Sequence, residues 1–308
     1  MDRKESAGGA DPKGVLAAVL TPMDEDLNPD HQAFATHCQR LLAAGCHGLS
    51  IFGTTGEANS LSVEERLVAL EALVESGVSP EKLLPGTGSC ALTDTVRLSR
   101  AALEAGTAGA LALPPFYYKG VGDDGLFRFF AEVVERVGDD RLRLYLYHIP
   151  QMTGVDLGLS LISRLIDAYP GVVVGTKDSS GDRERIMTLC REFPDFSVLA
   201  GTETLLLETL RSGGEGCISA TVNVTSRLAR RVHDAHALGK DDEAEALQER
   251  LTQLRASIEA YPVIPALKQL MATLTGDKQW RNIRPPLSSV DEKRTQDLLS
   301  NVPLAELL

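Results

Sequence analysis

The sequence predicts a (β/α)8 TIM barrel followed by a C-terminal helical extension. Three observations carry this. Eight short apolar runs recur between residues 15 and 219, helix-length amphipathic stretches separate them, and the strand signal stops after about residue 225. Strict strand–helix alternation argues for a parallel sheet. Eight units in a chain of this length argue for a closed barrel. The competing arrangement is a doubly wound open sheet, but no GxGxxG follows an early strand.

The expected strands are 15–20, 48–52, 82–85, 110–113, 143–147, 172–176, 196–200 and 216–219. The clearest helix is SVEERLVALEALVES over 62–76, where Ser62 and Glu65 make a capping-box pattern ahead of an apolar-periodic run. LTDTVRLSRAALEAG, 92–106, is another and ends on a glycine. The stretch LARRVHDAHALGKDDEAEALQERLTQLRASIEA is charged and helix-periodic without a strand signal. The domain reading is therefore a loose tail over 1–13, a barrel over 14–225, and a helical extension over 226–308 packed on the barrel.

Composition narrows the class of function. The 308 residues are 43% hydrophobic and 24% charged, as in ordinary soluble domains. A formal net charge of −12 disfavours nonspecific binding to nucleic acid. The five cysteines are scattered, with no C-x-x-C pair, which fits reduced thiols in the cytoplasm. The opening MDRKESAGGADPKG has no apolar signal core, and no run approaches the ~18 apolar residues of a membrane span.

Barrel active sites lie where strands end and βα loops begin. Four clusters there are chemically unusual. Gly53-Thr54-Thr55-Gly56-Glu57 sets two hydroxyls between glycines after the second strand. Converging backbone N–H groups and the threonines suit a carboxylate; a tight turn with a helix cap would look the same. In Tyr145-Leu146-Tyr147-His148, the two tyrosines share a face, and Tyr147 lies nearer the strand end. A core tyrosine is the plainer reading. Lys177 closes the apolar run Val172-Val173-Val174-Gly175-Thr176. Burial there would disfavour the ammonium and free a nucleophilic amine, unless the lysine reaches the rim or pairs with Asp178. Pro114-Pro115-Phe116-Tyr117-Tyr118 stops the fourth strand with aromatics, a pattern that loop packing also produces.

The order of these clusters is more specific than any one of them. GTTGE after strand two, PFYY after strand four, YxxP after strand five and KDSSGD at the end of strand six resemble the dihydrodipicolinate synthase / N-acetylneuraminate lyase superfamily of class I aldolases. The resemblance runs from about Gly14 to Leu287 and includes Pro85-Gly86-Thr87-Gly88, Gly201 and the RPPL of 284–287. It implies that Lys177 forms a Schiff base with a 2-keto acid such as pyruvate, and that Tyr147 shuttles protons. It implies that Thr54 and Thr55, with the Gly53 loop, hold the keto acid's carboxylate. Tyr117 matches a tyrosine lent by a neighbouring subunit, so a homodimer or homotetramer is expected. Gly201, Glu203 and Ile218 match positions lining the distal pocket. The covalent adduct itself supplies the electron sink, so no cofactor or metal is implied.

The sequence departs from the synthase pattern at two places. Synthases carry an arginine two residues after the YxxP proline; here that residue is Met152, expected to line the pocket. The residue after the tyrosine is His148 rather than asparagine; neighbouring strand residues face opposite ways, so it is expected to face the helical layer. These differences favour an aldolase or dehydratase acting on a keto-deoxy sugar acid or a related 4-hydroxy-2-keto acid. Condensation of pyruvate with aspartate semialdehyde is the alternative. A keto-acid sensor would be expected to lack Lys177 or Tyr147, and both are present. A pyridoxal phosphate lysine would need a phosphate cradle after strand seven or eight, whereas Gly213-Gly214-Glu215-Gly216 precedes the eighth.

Overall fold

The computed structural model describes residues 12–308; residues 1–11, most of the stretch read as a loose tail, lie outside the described residues. Seven strands form one sheet: β1 (Gly14–Ala18), β2 (Gly48–Ser50), β3 (Ala110–Ala112), β4 (Leu144–His148), β5 (Val173–Asp178), β6 (Ser197–Ala200) and β7 (Gly216–Ser219). Their spatial order is β2-β1-β7-β6-β5-β4-β3, and the pairings are parallel.

Segment 83–86 fills the gap between β2 and β3. The N–H groups of Leu84 and Gly86 donate to Leu49 and Ile51 at 2.8 and 2.7 Å, while Leu111 N–H donates to the Pro85 carbonyl at 2.9 Å. Parallel bridges Leu49–Leu83 and Gly86–Leu111 result. The ring is thus closed at eight strand positions. The third expected strand is present as two bridges rather than a ladder, because Pro85 brings no N–H.

Helices cover the outside of the barrel, α1 (His31–Ala43), α2 (Val63–Glu75), α3 (Leu92–Glu104) and α4 (Asp123–Val137), then α6 (Leu159–Ala168), α7 (Arg183–Glu192) and α8 (Leu206–Arg211), while a short α5 (Pro150–Thr153) sits at the barrel mouth after β4. The capping box at α2 forms as its sequence predicts, with Ser62 and Glu65 each satisfying the other's backbone N–H. Four further helices follow: α9 (Val222–Ala237), α10 (Asp241–Glu259), α11 (Val263–Thr275) and α12 (Glu292–Asn301). Residue 225 falls inside α9, which packs on β1 and β7 as the last of the barrel's own helices.

Three apolar layers hold this together. One lies between strands and helices. A second fills the barrel with Leu16, Leu84, Leu111, Tyr145, Leu199 and Ile218. The third joins the extension to the barrel through Leu20, Val224, Leu267 and Trp280. Inside the barrel, Gly175 stands opposite Tyr145 in register. A Cβ at Gly175 would lie 2.4 Å from that ring, so the glycine makes room for the tyrosine that plugs the barrel below Tyr147.

Candidate active site

Strand β5 runs two residues further than its apolar run suggests, because β4 and β6 still offer partners: Lys177 pairs with Tyr147 on one side and Leu199 on the other. Period-two alternation turns Tyr147 and Lys177 into the barrel and sends His148 and Asp178 outward. Lys177 is only 4% exposed. Its Nζ donates to the Tyr147 hydroxyl at 3.2 Å, and that hydroxyl is 3.3 Å from Thr54 Oγ1.

Burial by itself pushes the Tyr147 phenol up. The positive Lys177 and hydrogen bonds with Thr54, Lys177 and Ser179 outweigh it and hold the phenol below its usual value. Asp178 does not pair with Lys177. It accepts from Arg185 Nε at 2.7 Å and from the Ser180 hydroxyl at 2.5 Å. His148 is buried on the helical side, where its Nδ1 accepts from Leu157 N–H at 3.3 Å.

Loop 53–56 is bracketed by two non-glycine residues in left-handed backbone, Phe52 (φ 53°) and Glu57 (φ 57°). Such conformations cost energy and persist only where the surroundings enforce them. Phe52 is packed in the core against Phe34, and Glu57 is held by the extension. The buried Glu57 carboxylate pairs with Lys268 of α11 and accepts Arg284 N–H at 3.0 Å. Lys268 also donates to the Asn282 carbonyl at 2.7 Å. Gly56 is needed because a Cβ there would lie 2.8 Å from the Val19 carbonyl oxygen.

A cavity of about 420 Å³ sits over these groups and is lined by Thr54, Thr55, Tyr147, Lys177 and Gly201 among the residues picked out from sequence. The other picks lie elsewhere. Gly53 is in the loop but outside the lining. Met152 is 62% exposed and lines an adjoining groove. Tyr117 is 74% exposed and stacks edge-to-face on Tyr118 at 5.4 Å, away from its own chain's cavity. Ile218 is barrel filling rather than pocket lining.

Glu203 is fully buried behind the cavity wall. It accepts from the hydroxyls of Ser219 and Thr221 and from Arg255 Nη1, the last at 2.5 Å. Burial pushes its carboxyl up, but Arg255 and the two hydroxyls more than offset this and hold it below the usual carboxylate range. It does not line the cavity. Its position one residue into a 3-10 turn after β6 aims it at α10 instead.

Sequence reading missed the groups that complete the far wall: Gln151, Ser179, Ser180, Thr202, Thr204, Arg255 and Glu259. Arg255 had a signal. It lies in the stripe Leu251-Leu254-Arg255-Ile258, the buried face of α10, where an arginine needs partners. Glu203 and Glu259 supply them, the latter at 2.6 Å from Nη2.

Comparison with known proteins places the chain in a family. Residues 11–303 match the dihydrodipicolinate synthetase family. An uncharacterized DapA-like lyase of Chloroflexus aurantiacus is 36% identical over 279 residues, covering 90% of this chain and 92% of that protein. Dihydrodipicolinate synthase from Agrobacterium tumefaciens superposes with a TM-score of 0.86 at 34% identity, covering 94% and 97% of the two chains. A prophage protein of the dihydrodipicolinic acid synthase family from E. coli K12, solved in complex with pyruvate, gives a TM-score of 0.86 at 28% identity over 94% and 96%. The chain belongs to the dihydrodipicolinate synthetase family and is a lyase.

Proposed function

We propose that the chain is a pyruvate-dependent class I lyase that forms or cleaves 4-hydroxy-2-keto acids, keto-deoxy sugar acids included. The observation that carries this is the chain Thr54–Tyr147–Lys177 at the cavity floor, with links of 3.3 and 3.2 Å. Lys177 Nζ adds to the C2 carbonyl, and loss of water gives an iminium. Tyr147 protonates the departing hydroxyl, a step helped by a phenol more acidic than usual. The iminium draws electrons from C3, whose proton returns to Tyr147, leaving an enamine. The enamine carbon attacks an aldehyde, the new alkoxide takes the Tyr147 proton, and water releases the product and restores Lys177. Thr54 and Thr55, at the mouth of a loop held in place by Glu57 and Lys268, receive the carboxylate. The iminium is the electron sink, so the reaction as written calls on no metal or cofactor.

Aspartate semialdehyde is the less favoured partner. Its carboxylate would want a free cation, whereas residue 152 is methionine and Arg255 is committed to Glu203 and Glu259. Tyr117, exposed on its own chain, is assigned to the relay of a neighbouring copy, so the working unit is a dimer or tetramer. Among the described residues no helix is long and apolar enough to cross a membrane. The free cysteines, four of them buried, fit a reducing cytoplasm.

The test is cleavage of 2-keto-3-deoxygluconate and simpler 4-hydroxy-2-keto acids, with released pyruvate measured by its reduction to lactate. Release by the wild type that disappears in Lys177→Ala is expected. Equal release from Lys177→Ala would overturn the assignment.

A further inference from the structure

A second cavity, of about 550 Å³, lies between the barrel mouth and the C-terminal extension. It shares Thr54, Thr55, Ile149 and Gln151 with the first, so a molecule attached at Lys177 has a direct path into it. Its character differs from the first. Ile149, Met152, Val263, Ile264, Leu287 and Val290 form its walls. They come from three places: the turn around α5, the start of α11, and the segment after Arg284. Val263, Ile264, Leu287 and Val290 are each only half-buried, so apolar surface faces the groove. Among the lining residues Arg294 is the one charged group; its side chain is largely exposed and sits 3.9 Å from Asp291, at the rim. The far wall of the first cavity is polar by comparison, with Arg255, Glu259, Thr202 and Thr204.

We infer that this groove is the aldehyde subsite, and that it selects an acceptor with an apolar substituent, an aryl or branched alkyl aldehyde, over polyhydroxylated or carboxylated ones. The inference rests on the Schiff-base reading of Lys177. An apolar substituent laid along the groove covers half-buried aliphatic side chains and gains from leaving water. A carboxylate or a row of hydroxyls in the same place would lose hydration against Met152, Val263 and Ile264, and the polar groups it could reach in exchange, Gln151, Ser288, Ser289 and the rim Arg294, are few beside the apolar wall. In the forward direction the enamine carbon bonds to the aldehyde carbon, the oxygen takes a proton, and hydrolysis gives a 4-hydroxy-2-keto acid with the apolar group on C4. Keto-deoxy sugar acids are then the poorer members of the substrate class.

The experiment uses the full chain with pyruvate and four acceptors: benzaldehyde, isovaleraldehyde, D-glyceraldehyde and succinic semialdehyde. Initial rates give kcat/KM for each. Wild type, Met152→Arg and Val290→Asp are compared; both side chains are at the groove surface, and folding is checked by circular dichroism. In parallel, each protein is treated with pyruvate and borohydride and weighed. The expected result is a preference of about tenfold or more for benzaldehyde and isovaleraldehyde, lost or reversed in both variants, with the Met152→Arg protein gaining on succinic semialdehyde. A pyruvate adduct together with preference for glyceraldehyde or succinic semialdehyde, or with a ranking the variants leave unchanged, overturns the inference while the lysine chemistry stands. The groove would then be a contact between copies of the chain. No adduct in the wild type removes the lyase reading and the subsite with it.

Discussion

The Nζ of Lys177 lies 3.2 Å from the Tyr147 hydroxyl and 4.3 Å from the centre of the same ring. One phenol thus accepts a hydrogen bond from the lysine nitrogen and offers it a π-face as well. Parallel register produces this contact: β4 and β5 set the two residues side by side at the same level of the barrel.

Tyr147→Phe keeps the ring and removes the proton carrier, so turnover is expected to fall about 10²–10⁴-fold. The phenol has a proton to give only below its pKa, and that value is held under the usual 10 by Lys177 and its hydrogen bonds despite burial. Wild-type activity should therefore decline on the alkaline side from a pH below 10, and this limb should be missing in Tyr147→Phe. A pH–rate profile of both proteins checks it; the same limb in the variant would assign it to another group.

Gly201 lines the cavity and has no room for a side chain. A Cβ there would lie 2.0 Å from Ser179 Oγ and 2.6 Å from Ser179 Cα, so the backbone itself must move. Ser179 is one of the groups bonded to Tyr147. Gly201→Ala is expected to cost about 1–3 kcal/mol in urea unfolding and to lower kcat more than it raises the KM for pyruvate. Gly53→Ala, with nothing within 4 Å of its Cβ, should change stability by less than about 0.5 kcal/mol.

Glu203 and Arg255 tie the extension to the barrel, and the tie is pH-dependent. The folded Glu203 carboxyl is held below its ordinary 4.5, since Arg255, Ser219 and Thr221 outweigh burial. A depressed carboxyl contributes stability that is complete above the unfolded value and lost as pH falls through the folded one. Glu203→Ala, which leaves Arg255 short of a buried partner, is expected to cost about 3 kcal/mol at pH 7. The gap between wild type and Glu203→Gln in urea unfolding should narrow from pH 7 towards pH 3. A gap that stays constant would mean that the carboxylate's charge is not what holds α10.

If Tyr117 serves a neighbouring copy, the sites are shared and can complement one another. Lys177→Ala and Tyr117→Phe should each be weak as homo-oligomers. Unfolded together and refolded as a mixture, they should regain activity, because some sites then combine an intact lysine with an intact borrowed tyrosine. Activity of the mixture equal to the mean of the two would place Tyr117 outside the relay.

Much of the barrel was legible because its strands are short apolar runs bounded by turns, and the helix at 63–75 announced itself by its capping box. The third strand position was legible in place but not in form, since Pro85 limits its pairing. The floor of the site followed from strand alternation, which sends Tyr147 and Lys177 one way and His148 and Asp178 the other. The far wall did not. Arg255 could be read from sequence as falling on the apolar stripe of α10, but nothing in the sequence says which element that face meets, and only the packing of α10 on the barrel brings Arg255 and Glu259 to the cavity. Glu203 failed for the converse reason: it sits at a suitable place in the chain, but a buried arginine from another element claims it.

Covalent trapping tests the central claim most directly. The protein is incubated with pyruvate, reduced with borohydride, and weighed intact and as peptides. The account predicts one stable pyruvate adduct on the peptide that carries Lys177, absent from Lys177→Ala. Folded protein with no adduct at any lysine, or with the adduct retained in Lys177→Ala, would contradict it.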